Sequence, residues 1–190
     1  MQLIKKPINT LTYEELEYIY VIFNCWYLSK AVSFNSYEDA YDRFITYEDE
    51  EHGIRTYLRE CYDFIHNLKF PLIIYRAIRK DELINKQFNI NGKNHSLSWT
   101  TTLDIYNNPK SKFKNCGDIV SCKIDSDIID VPNTINNFIH YSASNKTKNL
   151  FGEFEISLKS NYKQSDLQDL YWTDKDGNTY YDKIIENFKG

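Results

Sequence analysis

The chain reads as an α+β protein in which helices come first and strands afterwards. Three observations predict this. Apolar residues recur at helical intervals through residues 1–70, Pro71 ends that pattern, and short runs rich in β-branched and aromatic residues follow. Segregated helices and strands argue against the βαβ alternation that builds a doubly wound parallel sheet. Residues 1–190 are expected to form one domain, with 1–70 its helical part and 71–190 its β-rich part.

The first helix opens at Thr12-Tyr-Glu-Glu15, where Thr and Glu have capping-box spacing. Leu16, Ile19, Tyr20, Phe23 and Tyr27 then mark one face of it, to about Lys30. Ser36-Tyr-Glu-Asp39 starts a second, shorter helix, and Ile54, Tyr57, Leu58, Cys61, Ile65 and Leu68 form the apolar stripe of a third. Strands are expected at Leu72–Arg76, Leu97–Thr100, Asp118–Ile124, Phe151–Leu158 and Thr179–Ile185. Between the second and third of these, Leu103, Ile105 and Tyr106 suggest a short helix capped by Thr101 or Thr102.

Composition excludes several classes of function. An apolar content of 42% with only 6 Gly and 4 Pro is that of a packed globular chain, not a disordered one. The net charge is −4 and the Lys and Arg residues are scattered, so no surface for gripping a phosphate backbone is foreseen and nucleic acid enters only as a substrate. No apolar run approaches the roughly 20 residues that cross a bilayer, and Met1–Thr10 lacks a signal-peptide core, so a cytoplasmic location is expected. Abundant Lys, Asn, Ile and Tyr with little Arg point to an AT-rich genome, that of a phage, virus or bacterium, and thus to a host cytoplasm if the gene is viral. The four cysteines, Cys25, Cys61, Cys116 and Cys122, form no CxxC pair and have no His at zinc spacing, so they read as reduced core thiols and no metal is expected. His52, His66, His95 and His140 likewise have no metal-ligand partner at suitable spacing. Gly117, Gly152 and Gly177 are isolated, which leaves neither a Rossmann fingerprint nor a P-loop.

Chemistry therefore rests on side chains at strands. Arg76 closes an apolar strand, where a guanidinium is usually a solvated or paired surface group but can hold a phosphate through two parallel hydrogen bonds. In Ser98-Trp99-Thr100, alternation puts the two hydroxyls on one face and Trp99 on the other, so Ser98 is expected to face a pocket beside Arg76. In Glu153-Phe154-Glu155-Ile156-Ser157-Leu158 the same period puts both carboxylates on one face and Phe154, Ile156 and Leu158 on the core face. Taken alone, that pattern also describes an ordinary amphipathic edge strand.

The ordered set Tyr75-Arg76-Ala77, Ser98-Trp99-Thr100 and Glu153-Phe154-Glu155 resembles the arginine-serine-glutamate branch of the mono-ADP-ribosyltransferases, a family of bacterial toxins, phage effectors and vertebrate ecto-enzymes. The likeness covers about Leu72 to Leu158 and includes Ile128-Ile-Asp-Val131 between the second and third motifs. It departs from the family at Ala77, where Gly is common. The resemblance implies a fold of N-terminal helices followed by two small, mostly antiparallel sheets around an NAD cleft. It implies NAD+ as co-substrate and transfer of ADP-ribose to a macromolecule with release of nicotinamide. Glu155 would stabilise the ribosyl cation, Ser98 would orient Glu155, and Arg76 would anchor the dinucleotide. The backbone of Ala77, together with Trp99 and Thr100, would line the cofactor site, and Phe113 would meet the nicotinamide. Glu153, where relatives carry Glu or Gln, implies an arginine acceptor on a target protein. The segment Asn136–Leu150 corresponds to the loop with which relatives recognise substrate. A histidine-tyrosine-glutamate enzyme would need His in place of Arg76. Two other readings use the same residues, an NAD+ glycohydrolase and a non-catalytic NAD-binding module, and oligomeric state is open.

Overall fold

The structure, a computed structural model of the chain, describes residues 5–28, 38–39, 41–42, 44–46, 53–77, 98–109, 111, 119–148, 154–162, 164–173 and 176–180. In chain order its elements are α1 (Tyr13–Leu28), α2 (Ile54–His66), β1 (Leu72–Ala77), β2 (Ser98–Thr100), α3 (Asp104–Asn107), β3 (Ile119–Ile124), α4 (Val131–Lys148), β4 (Glu155–Ser157), β5 (Gln168–Thr173) and β6 (Thr179–Tyr180). They form two units, Met1–Leu68 with Val131–Asn149, and Lys69–Asp130 with Leu150–Gly190. The mixture of helices and antiparallel strands is the α+β class expected.

In the first unit, α1 begins with the capping box its sequence predicts. Glu15 N donates to Thr12 Oγ1 at 3.2 Å and Thr12 N donates to Glu15 Oε2 at 3.0 Å. These bonds satisfy two backbone donors that a helix start otherwise leaves open. Lys6 also donates to Glu15, and that bond holds the carboxyl below its usual range. Leu16, Ile19 and Tyr20 are buried on the predicted face. The α2 stripe of Ile54, Tyr57, Leu58, Cys61 and Ile65 is buried as well, and Gly53 precedes it at φ 64°, a left-handed position that suits glycine. Residues 38–39, 41–42 and 44–46 are helical, and the rest of the second expected helix lies outside the described residues. None of the described helices is long and apolar enough to cross a membrane.

The expected recognition loop is corrected at this point, because residues 131–148 form α4. Val131, Ile135, Phe138 and Ile139 are buried at helical intervals, and Pro132 sits in the first turn, where its missing N–H costs nothing. Helices α1, α2 and α4 pack on one another, with Phe64 stacked on Phe138 at 5.0 Å between ring centroids.

Buried Glu17 accepts a hydrogen bond from the Tyr41 hydroxyl. Burial first, and then this bond, push the Tyr41 phenol up to about 12. Tyr41→Phe is expected to cost about 2 kcal/mol at neutral pH, because the buried carboxyl loses its donor. The folded pKa lies above the unfolded one, so this stabilisation is complete below about pH 10 and declines as pH rises towards 12. Urea midpoints of wild type and variant should accordingly converge across that window, and a constant gap would show that Tyr41 titrates as in the unfolded chain.

The second unit is built on one sheet of six strands in the order β4-β2-β1-β3-β5-β6, every neighbouring pair antiparallel. Among the described residues the strands form this one sheet, where two small sheets were expected. All six residues of β1 pair with β3, and β3 pairs with β5 on its other side, so the described strands join without a break. Strand β5 was not foreseen. Its polar start, Gln168-Asp169, hides the alternation, and Asp169 takes φ 51° beside an irregularity in the β3–β5 register.

Candidate active site

Strand β1 is the centre of the site. Its Leu72-Ile-Ile-Tyr-Arg-Ala sequence is rich in aliphatic and aromatic residues that fit a pleated surface. The pairings Tyr75↔Thr100 and Thr100↔Glu155 put these three residues in one lateral row, and Tyr75↔Ser121 and Ser121↔Tyr171 extend the row across five strands. Residues directly opposite in an antiparallel sheet share a face, so Glu155, Thr100, Tyr75, Ser121 and Tyr171 belong to one face. Thr100 and Glu155 are both buried, at 6% and 7% exposure.

Alternation gives the opposite face a different character. Arg76 is opposite Val120, Val120 is opposite Trp172, and Trp99 is opposite Ile156. Arg76, Trp99, Val120 and Ile156 are all buried, Trp99 at 1% exposure. Two expectations are revised by this register. Ser98 pairs through its backbone with Ser157, and Arg76, opposite Val120, is out of step with Thr100, so Arg76 falls on the face away from Thr100 and Glu155. Trp99 is a core side chain of the apolar face, away from the Glu155 row.

The turn after β2 is fixed by its hydroxyls. Thr100 Oγ1 accepts from Thr102 N and donates to Thr102 O, both at 3.3 Å, and Thr102 Oγ1 accepts from Asp104 N at 3.1 Å. The last bond ties Thr102 to the first residue of α3, but the N-cap is Leu103 and carries no side-chain cap bond, so the expected threonine cap is not formed. Helix α3 brings Leu103, Ile105 and Tyr106 against Tyr75, Ala77 and Ile119, on the face that carries Glu155. The Ala77 methyl thus contributes to an apolar cluster. Burial raises the Tyr75 phenol above its ordinary value.

At the start of β4, Thr101 N and Thr101 Oγ1 both donate to Phe154 O, at 3.2 and 3.4 Å. Farther along, Asp130 N donates to Ser157 O at 2.8 Å, and Ile129 bridges Leu158. Strand β4 is therefore held at Phe154 by Thr101 and, farther along, at Ser157 and Leu158 by Asp130 and Ile129. Phe154 departs from the expected alternation. It takes φ 44° and is 39% exposed, whereas Ile156 and Leu158 are buried as foreseen. Glu153 and Phe113 lie outside the described residues.

No protein-family model, curated protein or solved structure matches this chain. The site is therefore argued from its own geometry. That geometry brings Glu155, Thr100 and Tyr75 together, with Ser98 in step on β2, and leaves Arg76 and Trp99 on the other face. Tyr75 was not singled out from the sequence as a site residue. The available signal was its position beside Arg76 in a strand whose neighbours could be aligned only by pairing. Two thiols among the described residues are poor nucleophiles. Cys61 and Cys122 are free and buried, and burial pushes both thiols up.

Proposed function

We propose that the chain is an NAD+-dependent mono-ADP-ribosyltransferase that modifies arginine on a target protein. One observation carries this reading. Three segments far apart in sequence, each resembling a motif of that family, lie on the adjacent strands β1, β2 and β4, and the carboxylate of the third is buried in register with Thr100 and Tyr75. An ordinary amphipathic edge strand would turn its carboxylate to solvent.

In this reading the nicotinamide–ribose bond breaks and its electron pair leaves on the nicotinamide nitrogen, which becomes neutral. Positive charge develops on the ribose as in glycoside cleavage. The Glu155 carboxylate stabilises that charge, an effect strengthened where water is excluded. A guanidinium nitrogen of the acceptor then bonds to the anomeric carbon, and Glu153 takes the proton it sheds, because a protonated guanidinium is a poor nucleophile. Ser98 and Thr100 support Glu155 from β2. The expected contact between Arg76 and the dinucleotide gains no support from the register, which sets it on the face away from Glu155.

The test is to incubate purified protein with labelled NAD+ and a cell lysate, following protein label and free nicotinamide together. Label on protein supports the transferase. Nicotinamide release without label points to an NAD+ glycohydrolase, and neither signal to a binding module. Glu153→Gln should suppress transfer to arginine by about 10²-fold or more while sparing nicotinamide release to water. Equal loss of both activities would remove the division of roles between the two glutamates.

A further inference from the structure

Helix α2 carries a second pattern beside its buried stripe. Arg55, Arg59, Tyr62 and His66 recur at intervals of four, three and four residues, so they form one line along the helix. The two arginines and His66 are exposed, and Tyr62 is half-buried. Two of the chain's five arginines thus stand one turn apart in a sequence that otherwise favours lysine. Tyr13 of α1 joins the line at its middle. The Arg59 guanidinium lies over the Tyr13 ring, 5.8 Å from its centroid, and Tyr13 meets Tyr62 edge to face at 5.9 Å between centroids. Tyr62 in turn contacts the His66 ring at 4.1 Å, and His66 Nδ1 is 3.3 Å from Tyr62 O. Contacts between rings therefore run without a gap from Arg59 to His66. Among the described residues no carboxylate pairs with Arg59, although Asp63 follows it by one turn.

We infer that this face of α1 and α2 docks an extended acidic segment of a partner protein. The inference is independent of the transferase reading. A guanidinium already ordered over a ring keeps its planar fork for a carboxylate and loses less side-chain freedom on binding. His66 stands in the last turn of α2, where the helix dipole favours positive charge. Arg59 and His66 are seven residues apart, about 10 Å along the helix axis. A peptide in the polyproline II conformation advances about 9 Å in three residues and brings side chains at that spacing to one side. Two carboxylates so placed meet Arg59 and His66 together, and the chain between them lies on the Tyr13 and Tyr62 rings, as extended peptides do in aromatic-lined grooves. A nucleic-acid strand fits less well. Exposed Glu60 and Asp63 flank the line and the whole chain carries a net charge of −4, whereas a phosphate backbone is tracked by a continuous cationic groove.

The experiment is fluorescence anisotropy of the full chain with a labelled peptide that has glutamate at every third position and proline between, against the same peptide with glutamine. The glutamate peptide should bind and the glutamine peptide should not. Arg59→Gln should weaken binding about 10-fold, the loss expected for a forked charge-assisted bond. Arg59→Lys, which keeps the charge and removes the fork, should weaken it about 3-fold. Lys123→Gln removes an exposed cation of the other unit and should leave binding unchanged. All three variants should melt as the wild type does, since the altered side chains are exposed. The inference is overturned by equal binding of the two peptides, by an Arg59→Gln variant that binds like the wild type, by an equal loss in Lys123→Gln, or by a wild type that binds neither peptide. Tighter binding of a short oligothymidylate, lost in Arg59→Gln, also overturns it and assigns the face to nucleic acid.

Discussion

Glu155→Gln is expected to slow both nicotinamide release and label transfer by about 10²- to 10³-fold, the usual loss when one preorganised electrostatic group is removed from a transition state. The amide keeps the size and shape of the side chain and removes its charge. The β2–β4 ladder is made by backbone groups, so the strand pairing of Trp99 with Ile156 and Thr100 with Glu155 has no need of the carboxylate. Stability should therefore change by no more than about 1 kcal/mol. Rates and urea midpoints measured on one preparation separate the two effects. A variant that is folded and fully active would show that Glu155 is only a buried strand residue.

Trp99→Ala should act in the opposite sense, on stability before chemistry. Trp99 is 1% exposed on the apolar face, where its partner across β4 is the fully buried Ile156. Truncating a large buried aromatic removes its transfer free energy and leaves a cavity, at about 3–5 kcal/mol. A domain with a total of about 5–15 kcal/mol is left marginal by such a loss. Chemical denaturation of the variant should show a strongly lowered midpoint, and NAD+ binding should fail only as far as the fold does. A variant of normal stability with lost NAD+ affinity would return Trp99 to the cofactor site that the family resemblance implies.

How much of this was legible in the sequence depended on the range of the signal. The capping box at Thr12 and Glu15 and the α2 stripe are local patterns, and both form as read. The strands at residues 72–76, 97–100 and 118–124 were found to within a residue or two, because β-branched and aromatic runs mark them. Register was not legible. Alternation says which residues share a face along one strand, but only pairing across strands shows that Arg76 is out of step with Thr100. Phe154 was misplaced for a related reason, since it precedes β4 with a positive φ, which composition does not reveal. In α4 the stripe of Val131, Ile135, Phe138 and Ile139 was present but obscured by Asn133, Asn136 and Asn137. Weighing its period over its polarity would have identified the helix.

The helical unit is discontinuous in sequence, and this orders events during synthesis. Helices α1 and α2 leave the ribosome with apolar stripes whose third partner, α4, is not yet made. All of Lys69–Asp130, including three strands of the sheet, must be synthesised before α4 emerges. Closing so long a loop costs entropy before the contacts it permits are gained, which slows folding relative to a bundle of consecutive helices. The nascent chain is thus held with its helical core open for a substantial part of translation. Glu155 follows later still, so strand β4 is joined to β2 only after the helical unit has received its last member.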